Sequence, residues 1–416
     1  MPDMVPSRAR FTLLRLAFAL SVITYLDRVC IATAAASIRQ NLRLDTIQMG
    51  WVFSAFTLAY AIFEIPSGWL ADTIRPRKVL TRIVLWWSAF TMATGLAWNF
   101  VSLLSFRFLF GAGEAGAFPS VSRSFSEWFP ARERGRAHGI IFMGTRLGGA
   151  LAPPAALAVI TSLGWRPSFW IFGTFGLVWA VAWWKWFRDD PQQHPAVNPA
   201  ELEIIIDGRT FVKRESIEWQ RLFTPNLLFV CLTYFAFGYG LYFYLTWLPT
   251  YLREARGLSA TSASVWSSVV LLSGAASSMV GGVWTDRWSK RYGLKVGRCG
   301  VASTTLIASG VVLGAAALAK NPVASAALIA VAAGIADLSI AAAWAVCHDI
   351  GGEAAGTVTA CMNTFANFGG AIAPVAMGYA VQSYGSWTFP MLVTAVVYVA
   401  GGAIAVLIDP NRPILR

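Results

Sequence analysis

The chain of 416 residues is 56% hydrophobic and 13% charged, with a formal net charge of +12. Soluble domains carry about 25% charged residues, so this composition excludes a large water-soluble enzyme and points to repeated membrane spans of about 20 apolar residues each. The basic excess sits in short loops between apolar runs, which excludes nucleic-acid binding and fits the positive-inside rule instead.

The basic N-terminus runs into an apolar segment at 11–37. No small-residue cleavage site follows a short core, so the segment reads as a retained first helix. Asp27 and Arg28 lie at its middle. The second span, 49–71, places Tyr60 and Glu64 one turn apart. The third is 79–98, and the fourth, 101–123, carries Arg107 and Glu114 two turns apart on one face. The fifth and sixth, 137–161 and 167–187, follow, with Arg146 in the fifth. A long polar segment at 188–222 then opens with a Pro-rich loop and continues into a Glu- and Ile-rich part that predicts a surface helix.

The second half begins with a span at 225–251, where Tyr239, Tyr242, Phe243, Tyr244 and Trp247 precede Pro249. Spans at 262–284, 298–319 and 324–346 come next, the last with Asp337 and Trp344. The eleventh, 355–379, sets Asn363 and Asn367 one turn apart, and the twelfth is 386–408. Backbone groups in lipid must bond within their own segment, so these runs are helices, and the alternating pattern of a barrel is absent. The expected fold is an all-α membrane protein of twelve transmembrane helices. It divides into a six-helix bundle over 1–187, a cytoplasmic central loop over 188–222 and a second six-helix bundle over 223–416.

Most Lys and Arg fall at the termini and in alternate loops, while the opposite loops hold only Arg39, Arg43, Arg166, Arg253, Arg256 and Lys320. That bias places both termini in the cytoplasm. The halves also repeat. GGALAP at 148–153 returns as GGAIAP at 369–374, Gly164 returns as Gly385 at the same offset, and the Gly68/Asp72 pair ending span 2 returns as Gly282/Asp286 ending span 8. Parallel repeats about a membrane-normal axis are the architecture of major facilitator transporters.

The motif GWLADTIRPRK at 68–78 resembles the loop signature of that superfamily. More narrowly, TYLDR (24–28), AYAIFEIPSGWLAD (59–72), RFLFGAGEAGAFPS (107–120), YFYLTWLPTYL (242–252) and HPAVNPAEL (194–202) are similar to the anion:cation symporters, which include D-galactonate and hexuronate transporters, sialin and vesicular glutamate transporters. The resemblance implies that the first and fourth spans line the cavity and that Asp27 and Glu114 take part in proton coupling. It also implies that Tyr60 contacts substrate and that Trp344 is a cavity aromatic. Where sugar-acid members carry a serine, this chain has Ala341, and near Arg146 those members carry a neutral polar residue.

Ionisable groups inside spans are expensive and mark function by default. Asp27, Arg107 and Glu114 are read as a proton-sensitive network, in which a substrate competing for an arginine releases a carboxylate to protonate. Arg28 and Arg146 are the chosen anion ligands, because guanidinium offers a rigid fork that fits a carboxylate. Asn367 occupies the place of Arg146 in the second repeat, so one cation and one amide are expected at the same cavity. Tyr60, Tyr242, Trp344 and Asn363 complete the expected substrate set. Asp72 with Arg75, and Asp286 with Arg287, are expected as gating ion pairs.

Residues 111–116, GAGEAG, lie inside an apolar span rather than after a strand, so close helix packing explains them better than a dinucleotide. The five cysteines and three histidines form no metal-ligand spacing. No cofactor, metal or enzymatic activity is expected. The function expected is proton-coupled symport of a small organic anion by a monomer in a bacterial inner membrane. The rival is a proton-driven drug or metabolite exporter on the same scaffold, which three arginines at cavity depth disfavour.

Overall fold

A computed structural model describes residues 5–206, 224–412 and 414. Every regular element among them is helical. The first half comprises α1 (Ala9–Leu42), α2 (Thr46–Thr73), α3 (Pro76–Thr94), α4 (Phe100–Glu114), α5 (Ala117–Trp128), α6 (Ala131–Leu163), α7 (Trp165–Trp186) and the short α8 (Pro199–Ile206). The second comprises α9 (Pro225–Thr246), α10 (Leu248–Glu254), α11 (Ala260–Tyr292), a π-turn (Lys295–Gly300), α12 (Val301–Leu318), α13 (Pro322–Asp337), α14 (Ser339–Gly351), α15 (Ala355–Tyr384) and α16 (Thr388–Ala405).

Eight stretches are long and apolar enough to cross a membrane. They coincide with expected spans 1, 2, 5, 7, 8, 9, 10 and 12. The other four expected spans fall on α3, on α4 with α5, on the tryptophan-rich α7 and on α15. Span 4 is split because its helix breaks at Ala115 and Gly116, just after Glu114. Of the polar central segment, α8 forms where a surface helix was expected, and 207–222 lie outside the described residues.

Helix starts follow local chemistry. The Asn99 side chain accepts from Ser102 N–H in a capping box, and Thr224 and Asn321 cap α9 and α13 with proline just inside each helix. The backbone groups into two compact units, one over 1–28, 59–152 and 159–215, the other over 29–58, 153–158 and 216–416.

In the first unit, a Cβ on Gly148 of α6 would fall 2.3 Å from the Val22 carbonyl oxygen of α1, so only glycine allows this helix contact. The central segment is anchored by Glu201, which is fully buried. Its carboxylate accepts from Ala9 N–H at 2.7 Å, from Arg10 N–H at 3.1 Å and from the Arg10 guanidinium at 3.1 Å, which satisfies the open N–H groups at the start of α1. His194 packs among Trp128 and Trp186; its Nδ1 accepts from Ala196 N–H, and its Nε2 lies 2.9 Å from the Trp186 carbonyl. Burial holds this imidazole below the usual histidine range, outweighing the pull of that carbonyl.

In the second unit, a Cβ on Gly369 of α15 would fall 2.3 Å from the Phe235 carbonyl oxygen of α9, the counterpart of the Gly148 contact. Trp247 donates to the Pro374 carbonyl at 3.0 Å and packs edge-on against Phe53 and Trp387. Arg39 pairs with Glu254 at 2.9 Å. Arg256 donates to the carbonyls of Ala316, Ala317 and Ala319, a cation placed at the negative end of α12.

Candidate functional site

The first unit gathers four charged side chains from two helices. Asp27 and Arg28 follow each other on α1 and therefore point about 100° apart. Arg107 and Glu114 come from α4, with Glu114 at its last position, where the helix breaks. Asp27, Arg107 and Glu114 are each only 1% exposed. Arg28 forms an ion pair with Glu114, and its guanidinium also lies over the rings of Tyr60, at 4.7 Å, and Tyr25, at 5.0 Å. Arg107 lies over the ring of Phe110 at 4.3 Å.

Asp27 sits deeper. Neither of its carboxylate oxygens makes a hydrogen bond among the described residues, while the charges of Glu114 and Arg107 and the indole of Trp87 act on it. The expected network of Asp27, Arg107 and Glu114 is thus brought together, and Arg28 and Tyr60 join it. Glu64 is half-buried and acts electrostatically on Tyr60. Arg146 is half-buried on α6, two residues before the tightly packed Gly148.

The second unit holds the neutral part of the expected set. The Tyr242 hydroxyl donates to the Asn367 side-chain oxygen at 3.4 Å, and the Tyr242 ring lies where a Cβ on Gly370 would be. Asn363, one turn before Asn367, is half-buried. Trp344 donates through its indole N–H to the Tyr234 hydroxyl at 2.9 Å. Tyr234 went unnoticed in the sequence because it lies five residues before Tyr239, where the aromatic run that marks α9 begins. A cavity of about 350 Å³ also lies in this unit, lined by Thr33, Ala36, Arg253, Glu254 and Ser259 among others, and by none of the expected site residues.

The expected gating residues fall at helix ends. Arg75 is exposed at the start of α3, and the Asp72 side chain lies outside the described residues. Asp286 pairs with Arg298 at 2.9 Å, and Arg298 also reaches Asp349 at 3.1 Å; Arg287 is exposed. Arg298 was hidden by its setting, one of several basic residues whose placement the topology alone explains.

The profile of the Major Facilitator Superfamily matches residues 17–302. A probable sulfoacetate transporter of Cupriavidus necator is 36% identical over 93% of this chain and 91% of its own length. The hexuronate transporter of Bacillus subtilis is 32% identical over 92% and 90%. In fold, the chain is similar to a bacterial homologue of the human lysosomal transporter Spinster, crystallised inward-facing and occupied. The TM-score is 0.80 at 19% identity, covering 97% of both chains.

Proposed function

The chain belongs to the Major Facilitator Superfamily, is an integral multi-pass membrane transporter rather than an enzyme, and on that premise we propose that it carries a small organic anion together with protons by alternating access. The two bundles, 1–187 and 223–416, rock about the central loop of a monomer whose termini face the cytoplasm of a bacterial inner membrane.

The observation that carries this reading is the Arg28–Glu114 ion pair, with Asp27 and Arg107 buried beside it. An incoming carboxylate or sulfonate competes with Glu114 for the Arg28 guanidinium. Glu114, deprived of its cation in a buried site, regains neutrality by taking a proton. Release of the anion restores the pair and expels the proton. Asp27 supplies a second protonatable carboxyl held by Arg107. Carrying one negative charge inward against 100 mV costs about 2.3 kcal/mol; two protons reverse that sign for a monoanion and cancel the charge of a dianion.

Within organic anions, short substrates with two acidic groups fit best. Arg146 adds a guanidinium to Arg28, and Ala341 stands where sugar-acid members carry a serine hydroxyl. The relative named for sulfoacetate supports the same class.

Reconstituted protein should take up labelled sulfoacetate faster under an inward proton gradient. Glu114→Gln should abolish that acceleration while leaving counterflow exchange intact. Equal uptake with and without the gradient by the unsubstituted protein would overturn the coupling. Uptake of hexuronate in preference to sulfoacetate would overturn the substrate class alone.

A further inference from the structure

The packing of the first unit leaves one face of α3 bare. The core side of this helix runs through Leu80, Val84 and Trp87, all fully buried. On the other side Lys78, Arg82, Leu85 and Trp86 are exposed. These four recur at three- and four-residue spacing and so form a single stripe. The stripe is ordered by polarity. Its two cations lie in the first two turns of the helix, and its two apolar side chains lie in the turn that follows.

Trp184 of α7 stands beside this stripe. Together they make a groove of about 420 Å³, lined by Lys78, Thr81, Arg82, Leu85, Trp86 and Trp184. Its walls are fixed. Trp86 donates its indole N–H to the Leu109 carbonyl of α4 at 2.9 Å, and its ring fills the place where a Cβ on Gly113 would stand. With that N–H spent, the indole offers the groove an apolar surface. The Arg77 guanidinium lies over the Trp184 ring at 4.4 Å and donates to the Trp184 carbonyl, tying the start of α3 to the end of α7.

The polar end of the groove is cationic. The Thr81 hydroxyl donates back to the Arg77 carbonyl at 2.7 Å, and the Asp189 carboxylate accepts from Arg77 N–H at 2.8 Å. Among the described residues neither Lys78 nor Arg82 takes part in an ion pair. Away from the cations the surface stays apolar, since Val181 and Val178, one and two turns before Trp184, are exposed as well. Both helices coincide with expected spans, so the groove runs from a charged rim at a helix end into the depth of the hydrocarbon.

We propose that this groove binds a phospholipid with an anionic headgroup. Its phosphate lies between Lys78 and Arg82, and an acyl chain follows Leu85, Trp86 and Trp184. Phosphate oxygens take charge-assisted hydrogen bonds from ammonium and guanidinium, and basic pockets between membrane helices select anionic headgroups. A zwitterionic lipid brings its own cation to the same rim and gains less. Free phosphate would satisfy the cations but leave the leucine and the two indoles uncovered. The site is separate from the Arg28–Glu114 pair and is the same whatever solute is carried.

Purified full-length protein in a neutral detergent is titrated with phosphatidylglycerol or phosphatidylcholine of identical chains, and lipid retention is read by native mass spectrometry alongside the melting temperature. Phosphatidylglycerol should be retained more and should raise the melting temperature further. Lys78→Gln/Arg82→Gln should erase this preference, each substitution weakening phosphatidylglycerol binding by about fivefold. Lys290→Gln/Arg291→Gln makes the same charge change at exposed cations ending α11 and should keep the preference. Leu85→Gln should weaken retention with both cations in place, and inorganic phosphate should not move the melting temperature. Equal retention of the two lipids by the parent overturns the proposal, as does a preference that survives Lys78→Gln/Arg82→Gln or disappears in the control pair. Stabilisation by inorganic phosphate alone, or retention indifferent to Leu85→Gln, would make the groove a plain anion site and overturn the lipid.

Discussion

The two units pack by the same rule but carry different chemistry. Gly148 in the first and Gly369 in the second, related by the repeat, each bring a helix backbone against a neighbouring carbonyl at a distance no side chain permits. Two residues before each glycine the likeness ends, with Arg146 in one unit and Asn367 in the other. The first unit concentrates compensated charge, with Arg28 on Glu114 and Arg107 beside Asp27. The second offers neutral donors, Tyr242 with Asn367 and Trp344 with Tyr234, and, among the described residues, one buried acid, Asp337. The repeat thus keeps the glycines whose replacement breaks the packing, while the residues two positions before them differ. Such a division suits a carrier in which one unit handles charge and the other shape.

The largest effect that sharpens this contrast is expected at the ion pair. Arg28→Leu leaves Glu114 buried without its cation, a loss of about 3–5 kcal/mol, and should lower the melting temperature in detergent and abolish anion-induced stabilisation. Replacing both partners, Arg28→Leu with Glu114→Leu, should restore most of the melting temperature but no anion response. If the double variant responds to anion, charge handling does not reside in this pair.

Next come the paired glycines. Gly148→Ala and Gly369→Ala each force a methyl group into a helix contact, at roughly 1–3 kcal/mol from overpacking. The two variants should melt at similar temperatures, both below the unsubstituted protein. Unequal losses, with one variant indistinguishable from the parent, would break the claim that the repeat preserves the same steric role in both units.

Much of this was legible in the residues. Apolar run lengths located the spans, because a helix must satisfy its own backbone in lipid, and buried charges stood out against them. The pairing of charges was not legible. That Asp27 and Arg28 point about 100° apart follows from helix geometry, but which of them meets Glu114 depends on the rotation of α1 against α4, set by contacts such as Val22 on Gly148. The break after Glu114 was likewise invisible as a break, since no proline follows it directly. The partner of Asp286 lay twelve residues on, at Arg298 across a π-turn, rather than next door at Arg287.

The smallest expected effect tests the neutral half. The Asn367 side-chain oxygen accepts a long hydrogen bond, 3.4 Å, from the Tyr242 hydroxyl. Its loss in Asn367→Ala removes a neutral interaction of about 0.5–1.5 kcal/mol, so anion affinity read by thermal shift should weaken by no more than roughly tenfold. The pH profile of that response should stay in place, because no titrating group has been touched. Arg146→Ala at the repeat-related position removes a guanidinium, whose bonds to an anion are about twice as strong as neutral ones, and should weaken binding of a dianion more than that of a monoanion. An Asn367→Ala variant that moved the pH profile, or an Arg146→Ala variant blind to the number of charges on the ligand, would place charge handling in both units and erase the division between them.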